Sequence, residues 1–124
     1  MTYVDTHVVL WLYRNELERF SPAARRHLEA DELVVSPAVV LELQFLYEVG
    51  RFKPGARKIL EDLSGDIGLT VCELPFSQVA GAALDLSWVR DPFDRLIVAN
   101  AKAARAPLIT KDETIRRHYA AAIW

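Results

Sequence analysis

The chain has 124 residues, of which 52% are hydrophobic and 26% are charged, and its formal net charge is -2. This length predicts one domain that buries about two thirds of the surface of the unfolded chain without disulfides or a structural metal. The charge excludes a global basic field for nucleic acid, so any contact with RNA or DNA must be local.

Cysteine content and hydropathy indicate the compartment. Cys72 is the only cysteine, which excludes an intrachain disulfide framework and favours a reducing environment. We interpret it as a small buried hydrophobe. No apolar run reaches 18 residues, and Asp5 interrupts the N-terminal segment before a signal-peptide core can form. These features predict a cytoplasmic protein.

Short apolar segments alternate with longer stretches of helical period, which predicts βαβ units and a parallel sheet. The predicted strands are apolar and partly β-branched: Met1 to Val4, Leu33 to Val35, Leu69 to Leu74, Pro107 to Thr110 and, at one edge, Ala121 to Trp124. Gly65 and Gly68 predict a loop.

Helix starts are marked by a capping side chain followed by proline at the first helical position, in Ser21-Pro22, Ser36-Pro37 and Asp91-Pro92. Ser77 is a further candidate cap, before a helix over Gln78 to Leu86. The remaining predicted helices are rich in helix formers: Pro22 to Ala30, Pro37 to Val49, Pro54 to Leu63 and Pro92 to Ala104.

Four acidic residues each follow a predicted strand or lie in the helix after one: Asp5, Glu42, Asp94 and Asp112. The carboxyl ends of parallel strands open onto one edge of the sheet, so these residues can converge. Four carboxylates in one pocket repel each other unless a divalent cation neutralises them, and Mg²⁺ takes oxygen ligands. The pattern predicts a metal-dependent site for phosphodiester cleavage.

Each acid also has a structural explanation of its own. Asp5 and Asp112 can cap the helices that follow them, and Asp94 falls in the first turn of a helix, where the dipole favours a carboxylate. Glu42 can be a surface residue of an amphipathic helix. None of these explanations predicts that all four acids fall at the same edge of the sheet.

The arrangement resembles the PIN-domain ribonucleases, and in particular the VapC-like toxins of toxin–antitoxin pairs. The resemblance covers the whole chain and is carried by four segments: Val4-Asp5-Thr6, Ser36-Pro37 leading to Glu42, Arg90-Asp91-Pro92-Phe93-Asp94-Arg95-Leu96-Ile97-Val98-Ala99, and Leu108-Ile109-Thr110-Lys111-Asp112. It implies an α/β fold with a five-stranded parallel sheet of order 3-2-1-4-5 flanked by helices.

The resemblance also implies roles for the site residues. Asp5, Asp94 and Asp112 would bind one or two Mg²⁺ or Mn²⁺ ions, and Glu42 would be a further ligand or orient the attacking water. The predicted supporting residues are Thr6, Asp91, Arg95 and Thr110. For Arg95, a phosphate contact and a passive position on an exposed helix face are equally favoured.

The implied function is that of a metal-dependent endoribonuclease that acts as the toxin of a toxin–antitoxin pair. The implied partners are an RNA substrate, a cognate antitoxin and a second copy of the chain. Trp11, Phe45 and Tyr47 are candidate antitoxin contacts, because their helical spacing favours packing over base stacking. We assign His7 a packing or polar-surface role, since hard cations need no imidazole.

Three alternatives differ in function. A receiver-like binding module would need a phosphoacceptor aspartate at the end of a central strand, where Ser36 stands, and a haloacid-dehalogenase-type phosphatase would need an aspartate in place of His7. The third alternative keeps the PIN fold but is an RNA-processing nuclease without an antitoxin, or an inactive binding subunit. The presence of all four acids argues against an inactive subunit.

Overall fold

A five-stranded, all-parallel sheet runs through the middle of the computed structural model, which describes residues 1–124. The strands are β1 (Thr2–Val4), β2 (Leu33–Val35), β3 (Thr70–Val71), β4 (Leu108–Ile109) and β5 (Ala122–Ile123). Their order is β3-β2-β1-β4-β5, with Val4 beside Ile109 where the two central strands pair. The fold class and the sheet order implied by the resemblance are confirmed.

Seven helices flank the sheet: α1 (Thr6–Tyr13), α2 (Pro22–Ala30), α3 (Pro37–Glu48), α4 (Ala56–Ile67), α5 (Phe76–Ala83), α6 (Pro92–Ala104) and α7 (Glu113–His118). A 3₁₀ turn, Leu17–Arg19, follows α1. The three predicted caps before proline are confirmed, because Ser21, Ser36 and Asp91 each accept a hydrogen bond from a backbone N–H of the first helical turn.

Three predicted elements differ most in extent from the structure. α4 begins at Ala56 and continues through Gly65, which therefore lies in the helix, and it ends where Gly68 adopts φ 71°, a left-handed conformation that costs glycine little. α5 begins at Phe76, one residue before Ser77, so the predicted Ser77 cap is wrong. The third strand, predicted over Leu69 to Leu74, has only the two residues Thr70–Val71 and lies at the edge of the sheet.

One continuous core joins the sheet to the helices. It contains 29 buried hydrophobic residues, and the strands β1, β2 and β4 are buried along their whole length. Burial on both faces explains why these strands are continuously apolar rather than alternating. No helix combines the length and the apolar character that crossing a bilayer requires.

A neutral polar network of Tyr3, Ser36, Cys72 and Asn100 lies within this framework. The Ser36 hydroxyl donates to Asn100 Oδ1 at 2.7 Å, and Asn100 Nδ2 donates to Cys72 Sγ at 3.1 Å. The Tyr3 hydroxyl also donates to Cys72 Sγ, at 2.8 Å. Cys72 is half-buried beyond the end of β3 and packs against the hydrophobic core, as predicted in part, but its sulfur also accepts two side-chain hydrogen bonds, which were not predicted.

Candidate active site

Two of the predicted acids lie at the carboxyl edge of the sheet. Asp5 follows β1, is 3% exposed, and caps α1 by accepting a hydrogen bond from the backbone N–H of Thr6 at 2.8 Å. Asp112 lies beyond β4 and caps α7 by accepting from the N–H of Ile115 at 2.9 Å. Because β1 and β4 are adjacent parallel strands, both capping aspartates reach the same edge.

Thr110 joins these two aspartates. Its hydroxyl donates to Asp5 Oδ2 at 2.6 Å and accepts a hydrogen bond from the N–H of Asp112 at 3.1 Å. The Thr110 side chain is fully buried at the end of β4, so the sheet fixes the position of this hydroxyl. Thr110 therefore holds Asp5 and the start of α7 in a fixed relation.

Glu42 approaches the same edge from the middle of α3. The hydroxyl of Thr6, in the first turn of α1, donates a hydrogen bond to Glu42 Oε1. Burial raises the pKa of Glu42, the hydrogen bond from Thr6 opposes this shift, and the charges of Asp5 and Asp91 add to it. The carboxyl of Glu42 is thus held by one donor beside two other acids.

Asp94 is the most strongly perturbed acid. It lies in the first turn of α6, where Asp91 Oδ1 accepts a hydrogen bond from its backbone N–H at 3.0 Å. The pKa of Asp94 is raised to about 7, and burial is the largest cause. Neighbouring carboxylates add to the shift, in decreasing order Asp5, Asp91, Glu42 and Asp112, and no hydrogen-bond donor opposes it. The four predicted acids therefore come together, with the exposed Asp91 at the rim.

No lysine or arginine lies within 4.0 Å of the clustered carboxylates. Arg95, beside Asp94 in the chain, instead donates from Nε to the Ala83 carbonyl at 2.9 Å and from Nη2 to the Leu84 carbonyl at 3.5 Å. Its guanidinium ties α6 to the end of α5. These bonds give Arg95 a structural role, and its phosphate contact stays an untested alternative. The acids keep an uncompensated negative charge.

His7 is the basic side chain closest to the acids, and its two contacts were not predicted. Nδ1 lies 3.6 Å from Asp5 Oδ2, and Nε2 accepts a hydrogen bond from the N–H of Lys111 at 3.0 Å. Burial lowers the pKa of His7, although Asp5 and Asp112 oppose this, so the imidazole is neutral at pH 7 with its proton on Nδ1. Lys111 lies 104 positions away, and no local spacing signals the contact.

The donor set suits a hard divalent cation, because every clustered ligand atom is a carboxylate or hydroxyl oxygen. Asp5 and Glu42 already accept hydrogen bonds from threonines, while the carboxylate of Asp94 has no donor. No three His, Cys, Asp or Glu side chains stand close enough together to hold an ion as they are. The residues fit a metal by their chemistry, and binding one requires the carboxylates to draw together.

A parallel sheet of this order with acids at its carboxyl edge defines an α/β protein with an acidic site. The chain belongs to the PIN-domain family, whose model matches residues 2–121. The chain is 36% identical over 118 residues to ribonuclease VapC22 of Mycobacterium tuberculosis (strain ATCC 25618 / H37Rv), which covers 93% of this chain and 89% of that protein. The predicted resemblance to VapC-like PIN proteins is confirmed.

Two solved structures share the fold. The crystal structure of VapBC2 from Rickettsia felis bound to a DNA fragment from their promoter matches with a TM-score of 0.63 and 18% identity, over 94% of this chain and 92% of that chain. A toxin–antitoxin complex from Klebsiella pneumoniae matches with a TM-score of 0.64 and 15% identity, over 100% and 97%. At these identities the similarity concerns the fold alone.

Proposed function

We propose that the protein is a metal-dependent endoribonuclease whose active site is the cluster of Asp5, Glu42, Asp94 and Asp112. The observation that carries this proposal is the partly buried Asp94 carboxylate, which has a pKa of about 7, four acids around it and no donor or cation of its own. Such a cluster lowers stability, and a divalent cation removes that cost. Family membership and the identity to a ribonuclease support RNA as the substrate.

In this proposal Asp5, Asp94 and Asp112 hold Mg²⁺ or Mn²⁺, and Glu42 is a further ligand or orients the attacking water. When held by these residues, a divalent cation would supply neutralisation of the phosphodiester charge, a lower pKa of water and stabilisation of the leaving oxygen. The chain's own contribution is orientation: Thr110 holds Asp5 by its hydrogen bond, and Thr6 holds Glu42.

Cleavage of total bacterial RNA tests this function. The purified protein is incubated with the RNA in Mg²⁺, and every new 5′ end is mapped beside an Asp5→Asn/Asp94→Asn double variant. Asp66→Asn/Asp85→Asn, which changes two exposed aspartates, is the matched control. We expect discrete cuts with wild type and control that vanish in the active-site variant. Identical maps for wild type and the active-site variant would refute the proposed site.

We further propose that this nuclease is the toxin of a toxin–antitoxin pair in the cytoplasm. Three large apolar side chains of α3 are exposed, namely Leu41 (62%), Phe45 (48%) and Tyr47 (44%). Leu41 and Tyr47 border a groove between α3 and α4, and the α3 side of this groove carries apolar side chains that an amphipathic antitoxin helix can contact. Trp11, the other candidate contact, is half-buried among aromatic rings.

Titration with the cognate antitoxin tests this interface. Tyr47→Ala should weaken antitoxin binding without abolishing RNA cleavage, and Ile67→Ala, at an exposed position near the end of α4, is the control. Unchanged affinity of Tyr47→Ala would remove this residue from the interface. A chain that cuts RNA and binds no antitoxin would be an RNA-processing nuclease of the same family.

A homodimer is also proposed. Leu84, just after the end of α5, and Phe76, its first residue, are the two most exposed large hydrophobic side chains, at 78% and 69%. Their burial against a second copy would remove apolar surface from water. Sedimentation equilibrium measures the mass directly, and a monomer at all accessible concentrations would contradict the proposal.

A further inference from the structure

A basic and aromatic surface borders the acid cluster and has no part in the proposed chemistry. Its members are exposed or half-buried cations and indoles of α1, the loop between β4 and α7, α7 itself and the chain end: Trp11, Lys111, Arg116, Arg117 and Trp124. We name it the Lys111–Trp124 surface. It begins at the acids, because Lys111 stands between Thr110 and Asp112 in the chain.

The backbone of Lys111 is held beside the acid cluster, while its side-chain ammonium has no ionic partner. Its N–H donates to His7 Nε2 at 3.0 Å, and the same imidazole lies 3.6 Å from Asp5. The Lys111 ammonium lies 6.0 Å from the Trp11 ring centroid and 5.9 Å from that of Trp124, at the outer limit of a cation–π contact. No carboxylate pairs with this ammonium, so it is available to an anion.

Trp124 connects this lysine to two arginines. Its ring centroid lies 5.8 Å from that of Trp11 and 5.9 Å from that of the buried Phe20, so part of the indole is packed. The rest borders a shallow concavity with Arg116 and Arg117 of α7. Glu113 also lines the concavity, yet neither arginine forms an ion pair.

The alternation of cations with an accessible indole fits one kind of ligand. A single nucleic acid strand presents phosphates that Lys111, Arg116 and Arg117 can contact, and unstacked bases that can lie against Trp124. A duplex keeps its bases stacked inside, where an indole does not reach them. Because the whole chain has a net charge of -2, it has no general attraction for nucleic acid. The unpaired cations beside the acidic site therefore indicate a local contact.

We propose that the Lys111–Trp124 surface binds a single-stranded segment of the RNA substrate and leads it to the acid cluster. Lys111 and the two arginines contact phosphates, and Trp124 stacks on a base. The inference rests on the proposed ribonuclease function and adds to it the class of substrate and the direction from which the strand enters.

The test is RNA binding by the full chain in an Asp94→Asn background, which prevents cleavage in every variant. The probe is a fluorescein-labelled single-stranded RNA of about 12 nucleotides, a length within the range of known single-strand sites, and its affinity is measured by anisotropy across salt concentrations. Lys111→Ala should weaken binding and reduce the salt slope by about 0.7, the value for one lost phosphate contact. Arg26→Ala, at an exposed arginine of α2, should leave the slope unchanged.

Trp124→Leu separates stacking from charge. It should lower the affinity for the single strand about fivefold or more while leaving the salt slope unchanged, because a base contact and no phosphate contact is lost. Circular dichroism melts report whether this variant folds. If it does not, Arg116→Ala/Arg117→Ala takes its place, since both side chains are exposed, with an expected fall in slope of about 1.4 for two contacts.

Three results would overturn the inference. In the first, the wild type cleaves RNA, but Lys111→Ala and Trp124→Leu bind RNA as well as Arg26→Ala does. This result would refute RNA binding by this surface and leave the proposed nuclease function intact. Variants that keep RNA affinity but lose affinity for a poly-glutamate peptide would assign the surface to an acidic protein. A wild type that neither binds nor cuts RNA would refute the proposed function and this inference together.

Discussion

Two clusters of polar side chains adjoin the buried sheet, and they differ in how their hydrogen-bonding and charge requirements are met. In the neutral polar network, Ser36 donates to Asn100, and both Asn100 and Tyr3 donate to Cys72. In the acid cluster, Asp5 and Glu42 have threonine donors, while Asp94 has a raised pKa and neither donor nor cation.

The difference is the one expected between a structural cluster and the proposed active site. A neutral network with paired donors and acceptors adds to stability, because no buried group is left without a partner. A partly buried group of like charges lowers stability, and it persists where something outside the chain supplies the missing charge. The predictions that follow test whether changes in the neutral polar network affect stability but not activity, and whether changes in the acid cluster affect activity.

The largest expected effect is the loss of cleavage in Asp94→Asn. Removing one anionic oxygen donor removes several kcal/mol of transition-state stabilisation, so kcat should fall about 1,000-fold or more. Single-turnover cleavage of a mapped RNA site measures this, with Asp85→Asn as the exposed control. Activity within tenfold of wild type would show that the Asp94 carboxylate is not a ligand.

The same substitution should stabilise the metal-free protein. The pKa of Asp94 rises from 3.8 to about 7 on folding. The contribution of its protonated form to the free energy of unfolding is therefore fully present below about pH 4 and is lost as the pH rises through about 7. Wild type should therefore lose stability over this range relative to Asp94→Asn. At pH 8 the variant should be more stable by about 1–3 kcal/mol, allowing for solvent screening. Urea unfolding at pH 4 and pH 8 measures both values, and equal differences at the two pH values would contradict this.

Thr110→Val tests the hydrogen bond that holds Asp5. The substitution removes the donor to Asp5 and the acceptor for the Asp112 N–H while keeping the shape of the side chain. We expect about a 10- to 100-fold lower kcat, the range seen when ligand-orienting partners are lost. Thr110→Ser should restore most of the rate, and Thr70→Val, on the exposed edge strand, should match wild type. A Thr110→Ser variant as slow as Thr110→Val would point to packing instead.

Asn100→Leu should damage the other cluster and spare the chemistry. It leaves the Ser36 hydroxyl without its acceptor, which costs about 1–3 kcal/mol of the free energy of unfolding. The cleavage rate per folded molecule should not change. Gln78→Leu, at an exposed amide of α5, serves as the control. A loss of rate without a loss of stability would mean that the two clusters are not separable.

Arg95→Met should have the smallest effect. It removes the hydrogen bonds from the guanidinium to the carbonyls of Ala83 and Leu84, which stabilise the contact between α6 and α5 by about 0.5–1.5 kcal/mol. Urea unfolding should show this shift while kcat and KM remain unchanged. A selective rise in KM would instead assign Arg95 to phosphate binding.

The predictable parts of the molecule are those with local chemical signals. Capping residues with proline placed the starts of α2, α3 and α6, and Asp112 marked the start of α7. Local patterns failed at two places. The start of α5 precedes Ser77, and the sulfur of Cys72 is oriented by Tyr3, which lies 69 positions away.

The candidate site shows the same limit. The position of the four acids at one edge of the sheet follows from the strand topology, and it was predicted. The hydrogen bonds that orient these acids depend instead on packing. Thr6 reaches Glu42 across 36 positions, and Lys111 reaches His7 across 104. The aromatic contacts of Trp124 require the terminal strand to lie beside β4, which no motif around Trp124 encodes.

Calorimetric titration of the purified protein with Mn²⁺ at pH 7, in buffers of different ionisation enthalpy, tests the central claim most directly. Because Asp94 has a pKa of about 7, binding should release about half a proton at pH 7, fewer at pH 8.5 and none in Asp94→Asn. Wild type that binds no Mn²⁺, or that binds it with the same affinity and proton release as Asp94→Asn, would contradict a metal site built on these acids.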